Sequence, residues 1–207
     1  MTLMMDSRHR NRQGFTLIEL IIVVLLAGVM AAVAVPRALR TSPQQEVHKA
    51  ARQIMRDLES ARMRAIAAKR VVRVSFYETK DFYAAYQDVT SSRSGVISET
   101  EQEARASRLL ARGNMGKIPG VDLATRVEFG AGSASAGPLG GSISDPVTFK
   151  NDYVEFDVRG MVRPVDGVRT GGVVIVTHEK DKSIVSAVTV TGSGAFRTWT
   201  YRDGKWR

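Results

Sequence analysis

The chain contains no cysteine, which excludes a disulfide framework, a thiol nucleophile and any thiolate-ligated zinc or iron–sulfur centre. Its three histidines, His9, His48 and His178, are too few and too scattered for a histidine-rich metal centre. No Gly-x-Ser-x-Gly elbow, paired-histidine spacing or phosphate-loop motif accompanies its Ser, Asp and His residues. The sequence therefore points away from an enzyme and implies no cofactor. His178, inside an apparent strand, is expected to be structural, and Gly192-Ser193-Gly194 to be a turn. Acidic residues are scarce: Asp+Glu number 21 against Lys+Arg 30, for a net charge of +9. The rest is ordinary globular composition, 43% hydrophobic and 25% charged over 207 residues. That suits one domain, or a small domain with an appendage.

The amino end is the most informative part. Residues 1–14 are polar and basic, with Arg8, Arg10 and Arg12 against Asp6 alone. Phe15 to Val35 is then a 21-residue run whose one charge is Glu19. As a helix it spans roughly 30 Å, the thickness of a bilayer's hydrocarbon core. The arginine cluster holds its start in the cytoplasm and directs the remainder outward, with Arg37 and Arg40 opposing that bias. The segment suits a secretory signal peptide cleaved after Ala32-Val33-Ala34, a plain anchor, or a leader cut ahead of the apolar run. Glu19 favours the third. A carboxylate in an apolar helix costs about 2.5–3.5 kcal/mol on insertion scales, which neither a signal peptide nor a bare anchor has use for. Cleavage between Gly14 and Phe15 creates an α-amino group one helical turn before Glu19. In a bundle of such helices, the amine of one subunit could neutralise Glu19 of its neighbour and set the register.

Gly14-Phe15-Thr16-Leu17-Ile18-Glu19 resembles the type IV prepilin signature, shared by pilins and by the pseudopilins of type II secretion. The resemblance implies a prepilin peptidase/methyltransferase that cuts after Gly14 and N-methylates Phe15. It also implies that Glu19 is needed for subunit incorporation, and that Pro36 resembles the helix-kinking proline of that family. Residues 1–14 are then a cytoplasmic leader that is removed, 15–35 a transmembrane and filament-core helix, and 36–207 a periplasmic head.

In the head, Ser42-Pro43-Gln44-Gln45 has the form of a helix cap. Val47, Ala51, Ile54, Leu58, Ala61, Ala65 and Ala68 follow at helical spacing, with Met63 and Ile66 expected to widen the buried face. Between Pro36 and Ser75 stand ten Lys/Arg against three acids, a solvated outer face or a contact with anionic headgroups or acidic neighbours. Past Ala68 the period becomes that of strands. Val71–Tyr77 and Phe82–Gln87 form a hairpin. The stretch 89–120 is an insertion or lid whose Ser98–Arg112 predicts a short polar helix, and Val121–Phe129 resumes a strand. The Gly/Ala/Ser stretch 130–142 predicts a flexible loop. Tyr153–Asp157, Gly172–His178, Ser183–Thr191 and Ala195–Tyr201 are the later strands, and Gly160 ends a turn that needs positive φ. One long helix against antiparallel sheets makes the fold α+β, of type IV pilin-like form.

Leu58-Glu59-Ser60-Ala61-Arg62-Met63-Arg64-Ala65-Ile66 followed by Val71-Val72-Arg73-Val74, then Phe156-Asp157…Gly160 and Gly194-Ala195-Phe196, resembles the GspH/FimT group. That group holds the minor pseudopilin H of type II secretion and the FimT/FimU minor pilins. The resemblance implies a structural subunit held in the inner membrane by one span, partnered by other pseudopilins and an inner-membrane assembly platform. The tail bears on the choice. Arg197, Arg202, Lys205 and Arg207 alternate with Phe196, Trp199, Tyr201 and Trp206, a pattern that suits phosphates and stacked bases. The DNA-uptake FimT proteins carry a Gly-Arg-x-Arg-like element, but here Ala195 takes the first Arg position. The same alternation also describes a two-faced strand that buries one side.

Overall fold

The computed structural model describes residues 16–38, 42–88, 97, 107–108, 121–123 and 126–207. The leader, Gly14 and Phe15 lie outside them. Two compact units divide between Thr41 and Ser42. The first contains helix α1 (Leu17–Ala38), 22 residues long, with Pro36 inside its last turn. Its apolar side chains are bare: Leu17 is 78% and Met30 67% exposed. Among the described residues no helix is long and apolar enough to cross a membrane. The side chains described in α1 end at Ala32, six residues before the helix does.

The second unit is built on α2 (Pro43–Ala68). Ser42 caps it as expected, its hydroxyl accepting from the Gln45 N–H. Lys69, at φ +50, closes it by turning its N–H back to the Ala65 and Ile66 carbonyls. The buried stripe is Val47, Ala50, Ala51, Ile54, Asp57, Leu58, Ala61 and Ala65. Met63 does not widen it. Lying off the stripe, it points to solvent and is 57% exposed. Asp57 is the surprise, a carboxylate 3% exposed among aliphatics. It accepts from the Tyr83 hydroxyl at 2.7 Å and from Gln53 Nε2 at 2.9 Å, as a buried polar group requires.

Two antiparallel sheets share this helix. The first has β1 (Val72–Tyr77) between β2 (Phe82–Gln87) and β6 (Tyr153–Phe156), with β3 (Ser107–Arg108) and β4 (Val121–Asp122) both on the outer edge of β2. The second runs β10 (Lys205–Trp206), β9 (Phe196–Arg202), β8 (Val185–Val190), β7 (Gly172–His178), β5 (Val127–Phe129). The inner faces of both sheets and the α2 stripe form one apolar core, which includes Val74, Phe76, Phe156, Val174 and Val188.

Three expectations for the middle of the chain are corrected. Ser107–Arg108, inside the expected helix 98–112, pairs with Tyr86 and Gln87, because the β2 edge offers ladder partners. The remainder of 98–112 is outside the described residues. Ile97, just before it, is 2% exposed and packs with Val71, Ala84 and Tyr86. The strand 121–129 is two strands in different sheets. Between them Arg126 takes φ +73, and Asp81 gathers both pieces: its carbonyl accepts from the Leu123 N–H at 2.8 Å and its Oδ1 from the Phe129 N–H at 2.9 Å. Burial pushes the Asp81 carboxyl above its ordinary range; the Phe129 N–H opposes this, and Glu128 adds to it. Finally, the loop 130–142 is pinned rather than free. The Ser133 N–H bonds the Lys182 carbonyl, Ala136 bridges Ser142, and Trp206 Nε1 donates to the Ala136 carbonyl at 2.7 Å.

Candidate functional site

At the start of α1 the Thr16 hydroxyl accepts from the Glu19 N–H at 3.2 Å, and the Thr16 carbonyl from the Leu20 N–H. Thr16 thus caps the helix, with Glu19 in its first turn, where a negative charge is favoured by the helix dipole. Thr-x-x-Glu is a capping-box spacing that was present in the sequence. Glu19 therefore carries a local role besides any role between subunits.

The residues behind the resemblance in the body converge in space. Arg62 Nε donates to the Gly160 carbonyl at 2.9 Å. A Cβ on Gly194, at φ +81, would lie 2.4 Å from that same carbonyl oxygen and 3.1 Å from Arg62 Nε. Gly160, at φ +77, closes the turn begun by Asp157, whose Oδ1 accepts the Arg159 and Met161 N–H groups. Burial raises the Asp157 carboxyl, but those two N–H bonds and Arg169 outweigh it and hold the group below its ordinary range. Phe156 meets Phe196 edge to face at 5.9 Å. These residues seat the carboxyl half of α2 on two glycine turns. Their role is to build the head.

The tail is a two-faced strand. Phe196 faces the main core, while Trp199, Tyr201 and Trp206 pack on the opposite face over Ala134, Val173, Ile175, Val185 and Ala187. Trp199 Nε1 donates to Thr189 Oγ1, and the Arg197 guanidinium lies 3.9 Å from the Trp199 ring centre. The indoles are thus engaged by the fold, whereas Arg197, Arg202, Lys205 and Arg207 are exposed. His178 is 4% exposed, and its Nδ1 accepts from the Lys180 and Asp181 N–H groups. Its proton therefore sits on Nε2, facing Glu46 Oε2 at 3.8 Å. Among the described residues the two facing atoms have no hydrogen-bond partner. Sequence reasoning missed the buried Asp57 and the half-buried Glu46, because nothing in their spacing sets them apart from surface carboxylates.

Residues 9–35 match the prokaryotic N-terminal methylation motif. The match falls on the amino-terminal segment, which holds Gly14, Phe15 and Glu19. The chain matches no curated protein sequence. Among solved structures it is similar to the type IV minor pilin FimU of Pseudomonas aeruginosa, at 11% identity and TM-score 0.46, over 79% of this chain and 93% of that one. It is also similar to the minor pseudopilin EpsH from the type 2 secretion system of Vibrio cholerae, at 12% identity and TM-score 0.45, over 75% and 97%.

Proposed function

We propose that this prepilin-like chain is a minor pseudopilin of a type II secretion system, a structural and non-catalytic subunit of the periplasmic filament that drives export across the outer membrane. The observation that carries the reading is the methylation motif at the head of an apolar helix holding a single acid. A helix with bare Leu and Met side chains needs a lipid or helical surround, and an inner-membrane span that later becomes a filament core supplies both in turn. Other pseudopilins, the prepilin peptidase and an inner-membrane platform are its partners, with the head in the periplasm. Intact mass of the protein extracted from membranes tests this. The expected mass is that of a chain starting at N-methylated Phe15; a start at Val35 would mean an ordinary signal peptide.

The second reading is a FimT/FimU-type minor pilin, in pilus assembly or DNA uptake. The four exposed cations of β9, β10 and the residues around them favour it; the engaged indoles do not. It predicts DNA binding that falls steeply with salt and weakens when Arg197 and Arg202 become Ala. No binding at low salt removes the DNA-uptake version.

A further inference from the structure

The start of α2 and the ends of β8 and β9 enclose an open groove of about 950 Å³. Ser42, Gln45 and His48 line one side, and Thr200, Arg202 and Arg207 another. The charges here do not balance. Arg52 donates through Nε and Nη2 to His48 Nε2, at 2.9 and 2.6 Å, so a guanidinium is matched with a neutral imidazole instead of a carboxylate. The His48 proton then lies on Nδ1, which is 3.5 Å from Thr200 Oγ1. Arg202 is exposed and has no ion-pair partner among the described residues. The acid on the groove's rim is Asp203, 3.7 Å from Arg207, with both side chains exposed. Burial, then Arg52, then Arg202 hold the His48 imidazole below its ordinary range. An anion seated among these groups would offset that repulsion and find guanidinium donors already in place.

We propose that this groove binds the phosphate of an anionic phospholipid headgroup. Arg202 and Arg207 would reach the phosphate oxygens, with the His48–Arg52 pair behind them. The lipid source is favoured over an acidic neighbour by the sequence itself. In the sequence, Ser42, on the groove wall, stands four positions after the last residue of α1, the segment read as the anchor. The hydroxyls and amides of Ser42, Gln45 and Thr200 complement phosphoester and glycerol oxygens. This inference rests on the reading of α1 as a membrane anchor.

The test uses the full chain in nanodiscs of phosphatidylcholine alone, or with about one third phosphatidylglycerol. The His48 ring is followed by NMR across pH. Co-elution with both discs is expected from the anchor. The His48 midpoint should rise in the phosphatidylglycerol discs, and that rise should vanish in an Arg202→Gln, Arg207→Gln chain, whose exposed positions leave the amide spectrum otherwise unchanged. An equal midpoint in the two discs overturns the proposal, as it would if an acidic side chain of a neighbouring subunit were the true occupant. An equal rise on adding inorganic phosphate to phosphatidylcholine discs identifies a free-anion site and overturns the lipid source. Failure to co-elute with either disc overturns the anchor itself, a result distinct from the other two.

Discussion

Replacing Gly194 by alanine is expected to destabilise the head by about 3 kcal/mol, lowering its Tm by roughly 6–12 °C for a unit of this size. Two costs add. A non-glycine residue at φ +81 carries strain of about 1 kcal/mol. The new Cβ also meets the Gly160 carbonyl oxygen at 2.4 Å, a backbone atom that cannot swing aside as a side chain would. Relieving the contact moves the turn that accepts from Arg62, and with it the seat of α2. Gly140 supplies the control: its φ is +87, but a Cβ there meets nothing within 4 Å. Gly140→Ala should show the strain term alone. Thermal unfolding followed by circular dichroism separates the two, and equal Tm losses would sink the account of the glycine seat.

The second large effect concerns Glu19. If its charge pairs with a neighbour's amino terminus, Glu19→Gln should abolish incorporation into filaments while leaving processing intact. Gln keeps the capping-box pattern at this position, so helix initiation is largely preserved. Thr16→Ala is the converse. It removes the hydroxyl that accepts the Glu19 N–H, at about 1 kcal/mol, but keeps the charge, and should reduce incorporation modestly. Quantifying each variant in sheared filaments against the membrane fraction decides the matter. If Thr16→Ala fails as completely as Glu19→Gln, the helix cap and not the charge is what assembly needs.

The parts of the fold that were legible in the sequence are those set by local periodicity. Ser42 and Pro43 marked the start of α2, Val47 to Ala65 its buried side, and Gly172–His178 a strand matched residue for residue. What was not legible depends on distant partners. Ser98 with Glu101 imitates a helix start, yet the open edge of β2 draws Ser107–Arg108 into a ladder. Val121–Phe129 has an unbroken strand pattern, and nothing in it reveals that Asp81, some forty residues earlier, divides it between two sheets. The composition of 130–142 suggested a free loop, but its anchors are Lys182 and Trp206. Asp57 escaped notice because its neighbours Ile54 and Leu58 mark the core while its own type marks the surface. At the candidate sites, Glu19 stood out by charge alone, while the groove of His48, Arg52 and Arg202 joins residues about 150 positions apart that no spacing rule connects.

The way α2 is held has a mechanical side. If the chain is drawn into a filament as proposed, the pull reaches the head through the backbone at Ser42. Pulled along its axis, α2 cannot be peeled away one turn at a time, since Ile54, Leu58 and Ala61 are embedded along its length and Arg62 is hooked to the Gly160 turn at its far half. Those attachments must yield together, in shear. The head thereby shares a pull on α2 along the helix's whole packed length.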